Sequence, residues 1–465
     1  MTNETDVTYS YRWPDQALSS RQAWRLSASG ESWFRDMPED AESLAHDSSW
    51  PALFPSSICL VTVRAGDEVA LEKVVGASIV NRFPYVLALS FCRESLSERH
   101  HPRARFMDLL ERGRGANVQF LPQGDLLDQA MSAVVSIPEE RTVERIQSSG
   151  LEVQSGESND APVFQDAYMV YEGRLLKPGK GFGGKKVFER PWLDIGSHRM
   201  YFLEINCIQL REDIAEGRSH IHWKSLPLWT PRLPFQPAEP PLASDSRFQI
   251  PYQKVYTPDY IFPSSSTTAF EQNERRHGMA IKHLAPLPED QVEVDNDRAR
   301  WPCFFPSSLA MITTWGADGK PNVMPCGSTT VVSRSPMIIA ACISYASINV
   351  RYSPRASFDF LRKNRTFGCE VAYIHEKIIT AIKYTGNVSF RDDPDKVARA
   401  GLEVESSWGS PDLPALPIHF ECRVVGEVLM GTHAMFLGEV RRIRVRADVC
   451  AENPMIWCPW GLLEV

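Results

Sequence analysis

Two short stretches of this chain carry side chains suited to binding an anionic small molecule. The stretch "CGSTTVVS" places a serine and two threonines at 328–330, directly after a glycine. The stretch "RYSPRASF" places Arg351 and Ser353 at the start of a predicted helix. A guanidinium fork and a hydroxyl near the free N–H groups of a helix start suit a phosphate. Ser344, at the end of the preceding predicted strand, would add another donor.

A glycine-rich stretch in the first half, "KPGKGFGGKK" at 177–186, satisfies the pattern G-x-G-x-x-G. It does not lie between a strand and a helix of a βαβ unit, as a dinucleotide-binding fingerprint must. We therefore interpret it as a flexible basic loop. Two roles remain open for it: a lid that closes over an anionic substrate, and a plain surface insertion.

No pattern in the chain is typical of a metal site. His220 and His222 lie on one face of a predicted strand without a third ligand nearby, and "RHHP" at 99–102 is similarly short of partners. The ten cysteines form no C-x-x-C pair, and their spacing fits neither a zinc ribbon nor a disulfide framework. We expect no metal, and reduced thiols.

Charge and hydropathy argue against two classes of partner. The formal net charge is −8 with both signs spread along the chain, whereas a nucleic-acid-binding protein needs a basic face. No apolar run is long enough to span a bilayer, and the N-terminus lacks the basic start and apolar stretch of a signal peptide. We expect a cytoplasmic protein with no nucleic-acid partner and no membrane partner.

The elements that must position the candidate residues occur twice. "WPALFPSSICLVT" begins at Trp50, and "WPCFFPSSLAMIT" begins at Trp301, 251 residues later. "RHHPRARF" matches "RYSPRASF", "GLEV" occurs in both halves, and the segment from His198 aligns with the segment from His433. Matching stretches that recur in the same order in both halves predict a tandem duplication.

The repeat divides the chain into four predicted parts: an N-terminal extension at 1–37, a first copy at 38–229, a proline-rich linker at 230–287 and a second copy at 288–465. Proline cannot donate to a strand ladder, so we expect the linker to be an extended connector along the surface. The extension contains a run capable of forming a helix, "LSSRQAWRLSASGESWF".

The pattern inside the second copy is mainly β. "LAMITTW", "MIIAACIS", "TFGCEVAYI", "IHFECRVVGEVLM" and "AMFLGEVRRIRV" are apolar, rich in β-branched residues and of strand length. Asp-Gly in "GADGKPN" predicts a hairpin turn. "NVRYSPRASFDFLRKN" and "PDKVARAGLEV" are predicted helices, and the second should begin at Asp393 and Pro394. Many short strands with few helices favour a barrel or a sandwich.

The second copy resembles the flavin reductase-like family, especially its flavoredoxin branch. The resemblance rests on "DGKPNVMPCGSTTVVSRSPMIIAACIS", "RYSPRASFDFL", "YTGNVSFRDDPDKVARAGL" and "GTHAMFLGEV", in that order across nearly all of 300–450. It implies an FMN-binding split β-barrel, in a family whose barrels usually pair with flavin at the subunit interface. We therefore expect a mainly β chain with a few helices, in which two split β-barrels in tandem form an intramolecular pseudo-dimer. Fusion would make this pairing independent of protein concentration.

The resemblance also implies which residues bind the ligand. The implied FMN contacts are Asn322, Ser328, Thr329, Thr330, Ser344, Arg351, Ser353, Lys383, Thr385 and Gly386. Pro325 stands where the family usually has a threonine, which removes one donor. His433 matches a histidine close to where a nicotinamide would stack, and it is the candidate catalytic residue; a hydrogen-bonded barrel residue is the alternative. We expect Lys396 to be a solvated helix residue rather than a phosphate ligand.

The first copy departs from the family at the ligand positions. Arg99 keeps the position of Arg351, but His101 stands in place of Ser353, and Ser-Ala-Val-Val at 132–135 replaces "KYTG". The apolar positions that determine the fold survive. We therefore expect one flavin site per chain, built from the second copy, with the first copy as scaffold and lid.

The implied function is that of an FMN-dependent oxidoreductase, which transfers hydride between NAD(P)H, or a small organic substrate, and flavin. FAD is the alternative cofactor, and a flavin-dependent oxygenase is the implied protein partner; further homo-oligomers remain open. Two alternatives also remain. One is a specialised biosynthetic enzyme on the same scaffold, and the other is a non-reductase flavin-binding or structural protein whose degenerate copy offers a partner surface. The polar residues around Ser328, Arg351 and Thr385 distinguish these alternatives, because a reductase needs them to bind flavin.

Overall fold

The computed structural model describes two large parts of the chain and several short segments. The described residues are 59–93, 103–176, 191–210, 310–345 and 354–447, with gaps at 75, 82–84, 122–124, 335, 372–375, 406–408 and 431, together with 5–6, 25–36, 54, 215–216, 220–221, 232–233 and 281–283. Within these residues, no helix combines the length and the apolar character that crossing a membrane requires.

Seven strands and three helices build the first half. The strands are β1 (Cys59–Ala65), β2 (Glu68–Val74), β3 (Gly76–Asn81), β4 (Val86–Cys92), β5 (Gly115–Phe120), β6 (Met169–Leu175) and β7 (His198–Leu210). The helices are α1 (Ala104–Gly113), α2 (Asp125–Ser136) and α3 (Thr142–Ser148). The strands form an antiparallel sheet in the order β2-β1-β5-β6-β7-β4-β3.

The second half repeats this arrangement element by element. Its strands are β8 (Ala310–Trp315), β9 (Pro321–Cys326), β10 (Thr329–Arg334), β11 (Met337–Ser344), β12 (Thr366–Val371), β13 (Ile418–Leu429) and β14 (His433–Arg446). Its helices are α4 (Ala356–Asn364), α5 (Glu376–Asn387) and α6 (Lys396–Arg399). The sheet order is β9-β8-β12-β13-β14-β11-β10, so each strand occupies the place of the strand seven numbers lower.

Each sheet curls around an apolar core that its strand pattern predicts. In the second half, Ile312, Ile339, Phe367, Phe420 and Phe436 are fully buried in one cluster. Helix α4 packs on β8, and α5 packs on β9. The mainly β fold class and the two split barrels in tandem are therefore confirmed.

The predicted strands of the second half agree with the structure, and the turn at 316–320 contains Asp318 and Gly319, both at positive φ (57° and 71°). Two helix predictions are wrong in part. The last helix begins at Lys396 rather than at Pro394, because the Asp393 side chain accepts a hydrogen bond from the N–H of Asp395 and closes a turn first. The run near the N-terminus is not helical where it is described: Arg25–Leu26 and Ser32–Asp36 are strands.

Shorter strands complete the two sheets by crossing between the halves. Ser32–Asp36, which precedes the first half, pairs with β14 of the second. Ile281–His283, which precedes the second half, pairs with β7 of the first. Each barrel thus receives a strand from the segment ahead of the other. The remaining short strands are Thr5–Asp6, Val153–Ser155, Pro162–Phe164, Trp192–Ile195, Ala215–Glu216, His220–Ile221 and Arg232–Leu233.

The two barrels pack against each other through a symmetric apolar cluster. This interface cluster pairs equivalent residues of the halves: Val80 with Val332, Val86 with Ile338, Ala88 with Ala340, Met200 with Met435, and Phe202 with Leu437. All of these side chains are buried. Such mutual contact of equivalent surfaces is the geometry of an isologous dimer, here within one chain.

Candidate functional site

The hydroxyl residues of the first motif are buried at the contact between the halves. Ser328, Thr329 and Thr330 lie at the start of β10 and are almost inaccessible to solvent. Thr330 pairs with Ala340, a residue of the interface cluster, so both side chains point towards the first half. Within the described part of the chain, the Thr330 hydroxyl has no hydrogen-bond partner. A buried hydroxyl without a partner costs about 1–3 kcal/mol, so this position fits a polar group of a ligand.

Ser344 and His433 lie side by side next to these hydroxyls. They are directly opposite each other where β11 ends and β14 begins, and both are buried. Because β14, β11 and β10 are neighbours in the sheet, the structure brings Thr329, Thr330, Ser344 and His433 into one region. The sequence-based hypothesis placed these residues in the same site.

His433 is held in place by the first half of the chain. Asn81 Oδ1 accepts hydrogen bonds from the main-chain N–H of His433 (3.1 Å) and from the N–H and the hydroxyl of Thr432 (both 3.0 Å). Because the Thr432 hydroxyl donates its proton to Asn81, the His433 Nδ1 atom, 2.8 Å away, must donate to that hydroxyl. A neutral His433 therefore carries its acceptor lone pair on Nε2.

The contact between the halves is reciprocal at this point. Ser333 occupies the place of Asn81 on the second sheet, and Ser197 with His198 occupies the place of Thr432 with His433. The hydroxyls of Ser197 and Ser333 lie 3.5 Å apart, and the Ser197 hydroxyl lies 2.9 Å from His198 Nδ1. Asn81 Oδ1 thus accepts three hydrogen bonds from the second half, while Ser333 at the matched position contacts the Ser197 hydroxyl of the first half.

A second group of predicted residues lies around the start of α4. Asn322, on β9, donates to the hydroxyl of Ser357 in the first turn of α4 (2.8 Å). Thr385 is buried in α5, and its hydroxyl donates to the carbonyl of Ala381 (2.8 Å). Gly386 follows in the same helix, and its carbonyl accepts from Arg355. These bonds fix β9, α4 and α5 relative to one another.

Three predicted ligand residues lie outside the described positions. Arg351 and Ser353 belong to the segment between β11 and α4, which is not described, and the side chain of Lys383 is not described either. The ends of this segment are placed: the N–H of Arg355 donates to the carbonyl of Ser344 (2.9 Å). The start of α4 therefore lies beside the Ser344–His433 pair, and Arg351 stays a predicted phosphate ligand. The loop at 177–186 also lies outside the described residues.

Lys396 is buried, and the expectation of a solvated helix residue is wrong. Its side chain is 3% exposed, and Nζ donates to the carbonyls of Thr385 (3.0 Å) and Val388 (3.1 Å). These carbonyls, at the C-terminal end of α5, lack partners within the helix, so they take the ammonium group. Burial, assisted by the nearby Arg355 charge, lowers the pKa of Lys396 to about 7.

The sequence analysis missed a charged cluster in the barrel core. Glu370, Asp412, His419 and Arg444 are all buried. Arg444 binds Asp412 through two parallel hydrogen bonds (2.6 and 2.7 Å), and His419 Nδ1 lies 2.6 Å from Glu370 Oε1. Carboxylates and a histidine this close could ligate a metal ion, but the Arg444 guanidinium already takes the place of a cation beside Asp412. Glu370, a carboxylate inside the apolar run "FGCEV" of β12, was the available signal.

The titration of this cluster follows its contacts. Burial raises the pKa of Glu370, although the charge of His419 opposes the shift. Burial opposes charging of His419, but the carboxylates of Glu370 and Asp412 outweigh it and raise its pKa. For Asp412, burial is outweighed by His419 and Arg444, which hold its pKa below the usual range. The cluster therefore serves as a paired, internally neutralised core element.

The described cysteines are buried thiols. Cys59, Cys92, Cys207, Cys326, Cys342, Cys369 and Cys422 are free. Burial raises the pKa values of Cys369 and Cys422 well above the usual value, so these thiols stay protonated and unreactive.

Comparison with known proteins identifies one domain. Residues 302–462 match the model of the flavin reductase like domain. No curated protein matches the chain significantly.

Solved structures with similar folds are distant from this chain. Flavoredoxin from Methanosarcina acetivorans is 19% identical over 30% of this chain and 67% of its own, with a TM-score of 0.25. The FMN-binding protein from Thermus thermophilus with bound 1-cyclohex-2-enone is 19% identical over 30% and 71% (TM-score 0.26). Nitrilotriacetate monooxygenase component B from Bacillus cereus is 18% identical over 30% and 69% (TM-score 0.27).

Proposed function

We propose that this protein is an FMN-dependent oxidoreductase with its flavin site in the second half, at the contact with the first. The observation that carries the proposal is the buried hydroxyl of Thr330, which has no partner among the described residues and lies opposite Ala340 on β11, the strand that ends at Ser344 beside His433. It falls inside the region that matches the flavin reductase like domain. FMN, when bound, would supply the hydride chemistry, which the protein itself cannot provide.

The residues around the site divide into two tasks. Arg351 and Ser353, just ahead of α4, would bind the phosphate through charge-assisted hydrogen bonds. Ser328, Thr329, Thr330 and Ser344 would offer hydrogen bonds to the polar edge of the ring. Thr385 would act indirectly, because its hydroxyl proton is already donated to Ala381. Together with Gly386 and Asn322 it would fix the helix that borders the site.

His433 would act on the second reactant. With Nδ1 committed to Thr432, Nε2 is the atom that can accept a hydrogen bond or a proton from a bound NAD(P)H amide or from a small organic substrate. Asn81 keeps the main chain of His433 in position, so the first half contributes to a site that it does not itself line with ligand residues.

We also infer that the two halves descend from one duplicated barrel and that the first has lost its own flavin site. The shared strand order supports the duplication, as does a repeated contact: Thr62 donates to the carbonyl of Pro162, and Thr313 donates to that of Pro411. The reduced flavin would serve either a substrate bound in the same site or a partner oxygenase.

The test is the flavin content of the purified protein. We expect flavin absorbance bands and close to one FMN per chain when the flavin is released by denaturation and quantified against protein. Oxidation of NADH or NADPH, followed by absorbance, then shows which nucleotide is used. A colourless protein that binds no added FMN would contradict the proposal. Two equivalents per chain would contradict the loss of the first site.

A further inference from the structure

A second concave site lies in the first half, away from the interface. A cavity of about 540 Å³ opens where the β1–β2 turn, the end of α1 and the turn at 159–161 meet. Its size is in the range of small-molecule pockets. The lining residues that matter are Arg64, Arg112, Arg174, Asp160, Gly113 and Gly115.

Two of the three arginines hold uncompensated charges. Arg112 is paired with Asp108 (2.9 Å) and with Glu68 (2.8 Å). Arg64 donates Nε to the carbonyl of Asp160 (2.8 Å), and Arg174 donates Nη2 to the carbonyl of Ser158 (2.9 Å). Neither forms an ion pair with any described residue. The two carbonyls fix the guanidinium groups and leave their other N–H groups for a ligand.

Other charges at the cavity leave it positive. The Asp160 carboxylate also lines it, and the C-terminal end of α1 adds a partial negative charge. Arg112 and Arg105 balance the carboxylates of Glu68 and Asp108. Arg64 and Arg174 outweigh Asp160 and the partial charge of the helix end, so the cavity favours an anion.

The matched region of the second half carries different residues. Arg423 occupies the ladder position of Arg174, but it is paired with Glu439 (2.7 Å). Trp315 occupies the position of Arg64. Side chains also replace the two glycines: Asn364 donates to the carbonyl of Trp315, and Thr366 donates to that of Gly409. Two arginines without ion-pair partners and two glycines are thus not repeated together at the matched described positions of the second half.

We propose that this cavity binds the phosphate group of a small organic phosphate. Two guanidinium forks that converge on one space can give several charge-assisted hydrogen bonds to three phosphate oxygens, whereas a carboxylate offers two oxygens and one charge. The proposal does not depend on flavin binding, because no residue of the cavity belongs to the flavin site.

The experiment is a titration with inorganic phosphate followed by ³¹P NMR, in the Arg351→Ala background without added FMN. Acetate serves as the carboxylate comparison. We expect saturable phosphate binding that Arg64→Gln and Arg174→Gln each weaken about tenfold or more. Asp160→Asn should tighten binding, because it removes a negative charge from the cavity. Arg423→Gln is the matched control and should change nothing.

Each outcome decides the proposal. Wild-type protein that shows no saturable binding, or acetate that binds as tightly as phosphate, would overturn it. Equal losses in Arg174→Gln and Arg423→Gln would show an effect on folding or on overall charge, and would overturn it too. Melting temperatures of all variants confirm that the compared proteins are folded. If the protein holds no flavin but these results appear, only the proposed flavin function fails.

Discussion

One row of paired residues across the sheet, here called the rung, carries neutral side chains in the first half and charged side chains in the second. The matched residues, taken across the four central strands, are Leu60, Gln119, Val170 and Gln209 in the first half, and Met311, Glu370, His419 and Arg444 in the second. Val163 lies beside the first rung where Asp412 lies beside the second. The strand pairing is the same in both halves, and only the side chains differ. The two rungs therefore show two ways in which side chains fulfil the same structural requirement.

The shared requirement is to hold in place, by hydrogen bonds, the loop that passes over the rung. Gln119 supplies both an acceptor and a donor: Oε1 accepts from the N–H of Phe164 (2.6 Å), and Nε2 donates to the carbonyl of Pro162 (3.1 Å), to which Thr62 also donates. Glu370 accepts from the N–H of Leu413 (3.0 Å), but an ionised carboxylate has no proton to donate. Arg444 therefore supplies the donors, to the carbonyls of Leu413 and Leu416 (both 3.1 Å).

The charged residues at this rung of the second half depend on each other for neutralisation. Arg444 needs Asp412 to neutralise it in the core, and Glu370 needs His419. Removing one partner of a buried ion pair leaves an uncompensated charge, whereas replacing the whole set by apolar or neutral groups is often harmless. The neutral rung of the first half shows what such a replacement looks like.

The largest effect we predict is the loss of one member of the charged rung. Asp412→Val should lower the free energy of unfolding by about 3–5 kcal/mol, because Arg444 stays buried without its carboxylate. Urea unfolding measures the loss. The quadruple variant Glu370→Gln, Asp412→Val, His419→Val, Arg444→Gln copies the first half and should lose less than the single variant. Equal losses would show that the two rungs are not interchangeable.

The second prediction compares the arginines ahead of α4 and α1. Arg351→Ala should weaken FMN binding about ten- to a hundredfold, since a charge-assisted contact to phosphate contributes about 1.5–3 kcal/mol. Arg99→Ala, its counterpart, should leave the dissociation constant unchanged. Flavin fluorescence titration gives both constants, and melting temperatures control for folding. If both variants lose affinity equally, the halves share the flavin site.

The third prediction concerns the buried cation that caps a helix in each half. Arg145 holds the position of Lys396 and donates to the carbonyl of Ile137 (2.7 Å), but it also binds the buried carboxylate of Glu72 (3.2 Å). Lys396 has Met324 at the position of Glu72. Folding lowers the pKa of Lys396 to about 7, so above pH 7 the unfolded chain binds the proton that the folded chain has released.

Stability should therefore rise with pH above about 7. Relative to Lys396→Met, the wild type should gain about 2 kcal/mol in the free energy of unfolding between pH 7 and pH 9. Below pH 7 both states are protonated, and the difference should be constant. Arg145→Met is the matched control and should show no such slope, because arginine stays charged throughout. A flat difference for Lys396→Met would mean that the folded protein keeps this lysine charged.

The apolar pattern was enough to predict the barrel strands, because strand periodicity and turn chemistry are local. "MIIAACIS" corresponds to β11 residue for residue, and Asp-Gly marks the β8–β9 turn. The repeat was enough to predict the pairing of the halves. The burial of Lys396 was missed, because a lysine after "DPD" has the local pattern of a surface helix, and only the α5 carbonyls show its role. Glu370, His419 and Arg444 are 25 or more residues apart, and only strand order places them on one rung.

The exchanged strands also lay beyond local patterns. Ser32–Asp36 pairs with the nearby strand Arg25–Leu26, but its pairing with β14 depends on how two barrels face each other. The family resemblance, rather than spacing, predicted that residues of β10, β11 and β14 share one site, since Ser344 and His433 are 89 positions apart in the sequence and directly opposite each other in the sheet. Their binding of flavin stays a prediction.

The smallest effect we predict concerns a pair of buried hydroxyls. Ser78 holds the position of Thr330, and like Thr330 its hydroxyl has no partner within the described residues. Without ligand, each is a desolvated polar group, so Thr330→Val and Ser78→Ala should each raise the melting temperature of flavin-free protein. The two variants should differ in their affinity for FMN. Thr330→Val should weaken binding about three- to tenfold, since a neutral hydrogen bond contributes about 0.5–1.5 kcal/mol, and Ser78→Ala should not. If Ser78→Ala instead lowers the flavin content per chain, the first half has kept a working site, and the drift at 132–135 does not abolish binding.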